Sequence, residues 1–304
     1  MRKRIEGLIA APHTPMDAGG DVCLETIDRQ ADLLARNGVI GAFVCGTTGE
    51  GLSLTLDERR SLAERWVAAA PEGFRAIIHV GHTSLRDSRS LAEHAAAVGA
   101  AGIGAMGSCF FRPASIGELV DSCAAVAAAA PELPFYYYHI PSMTGVSFPM
   151  AEFLQRGGER IASLAGVKYT HEDLMDYGRC LRLDEGRYDV LFGRDEILLS
   201  ALALGATGAI GSTYNFAAPL YRRIIEAFGA GDVEAARAGQ TKSMRMVQAI
   251  FRDRPGIAAS KAVMGMIGLD CGPVRPPLVP LTDDDQAQLR GQLEQIGFFD
   301  YCCK

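Results

Sequence analysis

The chain has 304 residues, of which 48% are hydrophobic and 22% charged, with a formal net charge of −6 and a mean hydropathy of +0.09. This balance is typical of a globular protein, and the acidic charge argues against nucleic-acid partners, which require a basic surface. The basic opening at 1–4 is not followed by a long apolar segment, and the alanine-rich run at 124–130 is too short to span a bilayer. We therefore expect neither a signal peptide nor a membrane contact.

Eight cysteines are scattered along the chain, without a CxxC pair or a histidine-rich partner cluster. This spacing argues against a zinc site. In a chain of this length it favours buried, reduced thiols and a cytoplasmic location. The adjacent Cys302 and Cys303 are expected to be exposed and prone to oxidation, and no role is assigned to them.

Short apolar runs alternate with amphipathic segments over the first two thirds of the chain. The runs predict eight strands, at 5–15, 40–45, 75–80, 103–106, 135–140, 164–169, 188–192 and 208–210. Helices are predicted between them, at 24–37, 56–70, 84–98, 116–130, from 149, from 172 and at 196–204. Thr55 and Glu58 have the spacing of a capping box for the second helix. The strand runs are continuously apolar, as expected for a parallel sheet covered on both faces.

Eight β/α units in about 215 residues predict a TIM (β/α)8 barrel, which we assign to residues 1–216. Residues 217–304 contain no convincing strand. They predict a C-terminal helical extension packed on the barrel as one structural unit, with helices near 219–229, 233–251, 256–267 and 283–296. An open doubly wound sheet is the alternative fold, but no GxGxxG motif follows the first strand.

Catalytic side chains of a TIM barrel lie where the strands end, which draws attention to Lys168. It lies near the end of the apolar run 164–169, where burial would lower the pKa of the amine and give a neutral nucleophile. The position alone is equally compatible with a lysine that reaches solvent or an ion pair.

Three consecutive tyrosines occupy the fifth predicted strand. Alternation places Tyr136 and Tyr138 on one face and Tyr137 on the other. If Tyr138 faces the barrel interior, its strand adjoins that of Lys168, and its phenol can move protons to and from a substrate hydroxyl. Without further support, ordinary aromatic packing is the favoured interpretation of these tyrosines.

The sequence GTTGEG at 46–51 suits anion binding, because glycines let backbone N–H groups approach a ligand and Thr47 and Thr48 add hydroxyl donors. A plain connection is the alternative. His79 and His82 lie three residues apart, but no third metal ligand accompanies them. We predict hydrogen-bonded pocket residues there and no metal.

Four motifs occur in the order typical of one enzyme family. They are GTTGE at 46–50, YHIP at 138–141, GVK at 166–168 and GSTYN at 211–215. On these motifs the chain resembles the N-acetylneuraminate lyase and dihydrodipicolinate synthase family, from about residue 7 to the C-terminal helices. Three further stretches are similar to the sialic acid lyases of animals: FYYYHIP at 135–141, LFGRDE at 191–196 and GATGAIGS at 205–212.

The resemblance implies a class I aldolase that forms a Schiff base and needs no metal or other cofactor. It implies that Lys168 condenses with the keto carbon of a 2-keto acid and that Tyr138 moves the proton of the substrate hydroxyl. The other implied site residues bind substrate. Thr47 and Thr48 would hold the pyruvyl carboxylate, Thr170 would orient the substrate, and Gly193, Asp195, Glu196 and Ser212 would line the region of the polyol tail.

The same resemblance implies reversible cleavage of N-acetylneuraminate to N-acetylmannosamine and pyruvate by a homotetramer. Dihydrodipicolinate synthases carry an arginine where this chain has Met143, so the synthase activity is an alternative, as is a 2-keto-3-deoxy sugar acid aldolase. A non-catalytic ligand-binding protein is a third, although a pure binder would not need Lys168. Where many bacterial members carry two tyrosines, this chain has Phe110 and Phe111.

Overall fold

A computed structural model describes residues 4–304; residues 1–3, with most of the basic opening, lie outside the described part. Eight parallel strands close into a barrel in chain order, with β1 paired to β8. The strands are β1 (Gly7–Ala10), β2 (Gly41–Val44), β3 (Arg75–His79), β4 (Gly102–Met106), β5 (Phe135–His139), β6 (Leu164–Tyr169), β7 (Asp189–Phe192) and β8 (Gly208–Gly211). The closure confirms the TIM barrel and rules out the doubly wound alternative, which would leave two open edges.

Helices connect the strands around the outside of the barrel. They are α1 (Thr26–Arg36), α2 (Leu56–Ala69), α3 (Leu85–Ala97), α4 (Ile116–Ala127), α5 (Pro141–Thr144), α6 (Met150–Arg160), α7 (Leu174–Arg182) and α8 (Leu198–Leu204). Thr55 and Glu58 form the predicted capping box at the start of α2, each side chain accepting the backbone N–H of the other. The one-turn helix α5 directly after β5 was not predicted, because one turn leaves no periodic pattern.

The C-terminal extension is helical, as predicted. Its helices are α9 (Tyr214–Gly229), α10 (Val233–Phe251), α11 (Gly256–Met266) and α12 (Asp283–Gln295). Helix α9 begins before the predicted residue 219 and continues past a non-helical backbone at Ala217. The proposed boundary between residues 216 and 217 falls at this irregularity, and the division into two parts stays a prediction. Within residues 4–304, no helix is both long and apolar enough to cross a membrane.

Apolar side chains form two layers, one on each face of the closed sheet. One fills the barrel interior and includes Phe43, Tyr136 and Tyr138. The other lies between the strands and the helices, where Tyr137 packs on Phe153 with ring centroids 4.6 Å apart. The opposite orientation of neighbouring tyrosines confirms the predicted alternation along β5.

The two cysteines near the end of the chain are buried, so the expectation of exposed thiols there is wrong. Cys302 and Cys303 are 5% and 1% exposed, and the backbone N–H of Cys303 donates to the carbonyl of Phe216 at 2.7 Å. The burial is a tertiary contact that joins the last residues to α9, and local sequence carries no trace of it. All eight cysteines are free thiols.

Candidate active site

Lys168 lies inside the barrel on β6 and is 3% exposed. Its Nζ atom lies 4.0 Å from the ring centroid of Tyr138 and 4.2 Å from that of Phe43. Burial lowers the pKa of the amine to about 7, although the charge of Asp195 acts in the opposite direction. A substantial fraction of the amine is therefore neutral near pH 7, which is the form that attacks a carbonyl carbon.

Tyr138 is paired with Lys168 in the register of β5 and β6, so the two side chains project together from adjacent strands. The hydroxyls of Tyr138 and Thr47 lie 3.2 Å apart. Burial raises the pKa of Tyr138 to about 12, partly offset by its hydrogen bond with Thr47. The phenol is therefore protonated at neutral pH and lies next to the amine, with a hydroxyl partner for proton exchange.

The turn after β2 places Thr47 and Thr48 at the mouth of the barrel. The hydroxyl of Thr14 donates to the carbonyl of Gly49 at 2.6 Å and holds the turn against the first βα loop. Glycine is required at position 51, at the end of this turn, because a Cβ atom there would lie 1.9 Å from the carbonyl oxygen of Cys45. The glycines allow a compact turn whose threonine hydroxyls can face a carboxylate.

The loop after β7 brings two carboxylates to the cavity, those of Asp195 and Glu196. Asp195 is buried, and its Oδ2 atom accepts the backbone N–H of Thr213 at 2.9 Å and the Thr213 hydroxyl at 2.6 Å. Burial raises the pKa of Asp195 to about 6, against the effect of the Thr213 hydrogen bonds. Glu196 is more exposed and pairs with Arg194 at 2.9 Å, while Arg194 also pairs with Glu172.

Gly193 is sterically required beside this loop. A Cβ atom at this position would lie 2.1 Å from Oγ1 of Thr170, closer than any real contact. The absent side chain leaves Thr170 and the loop after β7 in direct contact, so the ends of β6 and β7 can share one wall of the site.

These groups surround one cavity of about 390 Å³ at the C-terminal end of the barrel. All nine residues that were proposed from the sequence line it, and the structure brings them together. They are Thr47, Thr48, Tyr138, Lys168, Thr170, Gly193, Asp195, Glu196 and Ser212. The cavity also has a wall that sequence reasoning missed, formed by Val247 and Phe251 of α10 and Ile257 of α11. These apolar residues follow the ordinary helical pattern, and nothing in it distinguishes them from core residues.

A second, mainly apolar cavity of about 240 Å³ adjoins the first and shares Thr47, Met143 and Ile257 with it. His79 lines it and donates from Nδ1 to the carbonyl of Cys45 at 3.1 Å, as expected for a hydrogen-bonded pocket residue. His82 lines a different cavity, between α3 and α4. In the part of the chain that is described, no group of three or more His, Cys, Asp or Glu side chains could hold a metal ion.

A buried amine beside a tyrosine, at the C-terminal end of a TIM barrel, is typical of enzymes that form a Schiff base with a carbonyl substrate. The model of the dihydrodipicolinate synthetase family matches residues 4–296. The chain belongs to this family.

Several relatives carry the same name and cover nearly the whole chain. N-acetylneuraminate lyase of Gallus gallus is 43% identical over 303 residues, which span 98% of both chains. N-acetylneuraminate lyase of Rattus norvegicus is 40% identical over 304 residues, with 99% of this chain and 95% of the relative covered. The native structure of N-acetylneuraminate lyase from Aliivibrio salmonicida is 43% identical and superimposes with a TM-score of 0.95 over 98% of both chains.

Proposed function

We propose that this protein is an N-acetylneuraminate lyase, which cleaves N-acetylneuraminate to N-acetylmannosamine and pyruvate. The observation that carries the proposal is the buried amine of Lys168, with a pKa lowered to about 7 and the ring of Tyr138 at 4.0 Å from Nζ. The relatives named N-acetylneuraminate lyase, at 40% and 43% identity over nearly the whole chain, support the choice of substrate.

In the proposed reaction, the neutral amine of Lys168 attacks C2 of the open-chain sugar acid, and loss of water gives an iminium ion. The iminium accepts the electron pair of the C3–C4 bond as that bond breaks. The Tyr138 phenol gives its proton to the water that leaves, and the resulting phenolate removes the proton of the C4 hydroxyl, whose oxygen becomes the aldehyde oxygen of N-acetylmannosamine. The enamine that remains is protonated at C3, and hydrolysis of the resulting imine releases pyruvate. The chemistry needs no further electron acceptor.

The remaining site residues are proposed to hold the substrate at its two ends. Thr47 and Thr48 are suited to the carboxylate, because their hydroxyls can donate hydrogen bonds to it. Their turn also lies against Tyr138, next to the reacting groups. At the other end, carboxylates suit a ligand with several hydroxyl donors. The proposed polyol contacts are Gly193, Asp195, Glu196 and Ser212, with Thr170 between the two ends.

The synthase alternative requires a free cation near the cavity to bind a second carboxylate. Met143 stands at the family position of that arginine, and a thioether cannot replace a bidentate cation. Arg194 does line the cavity, but it is already paired with Glu172 and Glu196. These contacts favour a polyol substrate over a substrate that carries a second carboxylate. A 2-keto-3-deoxy sugar acid aldolase would use the same chemistry on another aldehyde.

We also propose a homotetramer and a cytoplasmic location. The resemblance to the family supports the tetramer, and eight free thiols support a reducing compartment. Light scattering of the purified protein tests the assembly, and a mass of one or two chains at micromolar concentration would contradict it.

The proposed activity is tested by the release of pyruvate from N-acetylneuraminate, followed with lactate dehydrogenase and NADH. We expect steady turnover by the natural chain and none by Lys168→Ala, which removes the nucleophile. Borohydride should attach pyruvate covalently to the natural chain at residue 168 and not to the variant. Trapping at a different lysine would contradict the assignment of Lys168, while trapping at Lys168 without turnover would point to another aldehyde.

A further inference from the structure

The turn at 46–50 ends in a glutamate that makes its contacts inside the protein. Glu50 follows the two threonines and Gly49 and adopts a left-handed backbone conformation, with φ 55° and ψ 29°. Its N–H donates to the carbonyl of Thr47 at 3.0 Å, which closes the turn. Its side chain is 1% exposed. A buried carboxylate at this point needs charged or polar partners.

Both oxygens of this carboxylate are held by the C-terminal extension. Lys261 of α11 donates from Nζ to Oε1 at 3.0 Å, and the backbone N–H of Arg275 donates to Oε2 at 2.8 Å. The side chain of Lys261 is also 1% exposed, and its ammonium donates to the carbonyl of Pro273 as well. Removal of either charged partner would leave the other buried and unpaired, and the turn would have to shift to hydrate it.

A continuous series of contacts leads from this ion pair to the reacting groups. Lys261 holds the side chain of Glu50, whose N–H holds the carbonyl of Thr47. The hydroxyl of Thr47 lies 3.2 Å from that of Tyr138, which is adjacent to Lys168. A displacement of Glu50 therefore changes where the threonine hydroxyls lie relative to the amine.

We infer that Lys261 and Glu50 are positioning residues for the carboxylate of the 2-keto acid. Their ion pair joins residues 211 apart in sequence and fixes the turn at 46–50 against α11. Helix α11 also supplies Ile257 to the cavity wall, so the extension is a part of the site and does more than cover the barrel. The inference rests on the proposed function, because it takes pyruvate as the ligand of this turn.

The test compares the pyruvate concentration that gives half-maximal borohydride trapping at Lys168. In Glu50→Gln and in Lys261→Met, we expect this concentration to rise about tenfold or more, because the loss of one hydrogen bond to a charged ligand weakens its binding by about that factor. Trapping at saturating pyruvate should persist, since Lys168 is intact. Lys261→Arg keeps a cation and should recover part of the loss. The matched control is Arg237→Met, which breaks an exposed ion pair with Glu234 in the same extension and should change nothing.

Circular dichroism and thermal unfolding first establish that each variant is folded. A folded Lys261→Met whose half-saturating concentration stays within about twofold of the natural chain would overturn the inference and leave the pair a purely stabilising role. If the single variants do not fold, the double variant, with both Glu50→Gln and Lys261→Met, carries the same comparison without a buried unpaired charge. Absence of any trapping in the natural chain would instead contradict the proposed function.

Discussion

The lowered pKa of the Lys168 ammonium group follows from its surroundings on β6. Its Nζ atom is packed over the rings of Phe43 and Tyr138, which offer the ammonium less stabilisation than water does. Desolvation therefore lowers the pKa, and the buried carboxylate of Asp195 limits the fall, so that the value is about 7. The same carboxylate that we assign to the polyol end thus also sets the reactivity of the nucleophile.

This balance predicts the pH dependence of imine formation. Below pH 7 the amine is protonated and unreactive, so the rate of trapping with pyruvate and cyanoborohydride should fall about tenfold per pH unit on the acid side. Because the charge of Asp195 raises the pKa of Lys168, Asp195→Asn should shift this acid limb to lower pH. The measurement is the single-turnover trapping rate between pH 5 and 9. A limb centred near the ordinary lysine value would contradict the desolvated amine.

The hydroxyl of Tyr138 is expected to be essential for cleavage of the C3–C4 bond, whereas water can supply the proton that imine formation needs. Tyr138→Phe keeps the ring that packs edge-on against Phe43 and His79 and removes the group that moves the proton. We expect kcat for N-acetylneuraminate cleavage to fall by about 10²–10⁴, the range of general acid–base catalysis, while pyruvate is still trapped at Lys168. An unchanged kcat in the steady-state assay would remove Tyr138 from proton transfer.

At the scale of elements, Asp195 links the loop after β7 to the start of α9. One carboxylate oxygen accepts both donors of Thr213, whose hydroxyl is also hydrogen-bonded to Tyr221, and Tyr221 contacts Ser243 of α10. The side chain of Gln240 donates to the backbone carbonyl of Asp195 at 3.2 Å. The loop is therefore held by α9 and α10 rather than by its own sequence.

This link predicts a defect confined to the sugar end of the site. Thr213→Val keeps the shape of the side chain but removes the 2.6 Å hydrogen bond to Asp195. We expect KM for N-acetylneuraminate to rise about tenfold, which corresponds to about 1.4 kcal/mol, while half-saturating pyruvate in the trapping assay stays unchanged. Thr213→Ser keeps the hydroxyl and is the matched control. An equal effect of both substitutions, or a change at the pyruvate end, would refute this role.

The strands and most of the helices could be predicted because their apolar periodicity is local. The nine proposed site residues could be placed at strand ends for the same reason, once the motifs gave them an order. The contributions of α10 and α11 could not be predicted, since Phe251 and Ile257 reach the cavity through tertiary packing. The pairing of Glu50 with Lys261 was inaccessible for the same reason, because 211 residues separate them.

At the scale of the whole molecule, the last residues join the extension back to the barrel. Phe298 is fully buried, with its ring 6.2 Å from Phe216 of α9 and 5.7 Å from Tyr301. The amide of Asn37, at the end of α1, donates to the carbonyl of Lys304 at 3.2 Å. The end of the chain therefore packs against both the first helix and α9, which makes independent unfolding of barrel and extension unfavourable.

We expect the chain to unfold as one cooperative unit, and Phe298 to contribute strongly to its stability. Phe298→Ala should lower the free energy of unfolding by about 3–5 kcal/mol, because it leaves a cavity between the end of the chain and α9. Phe111→Ala, at a side chain that is 83% exposed, should change it by less than about 0.5 kcal/mol. Urea denaturation followed by circular dichroism and by tryptophan fluorescence measures both, since the single tryptophan, Trp66, lies in the barrel part on α2. If Phe298→Ala altered the circular dichroism transition and left that of Trp66 in place, the extension would unfold separately, and the barrel and the extension would be independent domains.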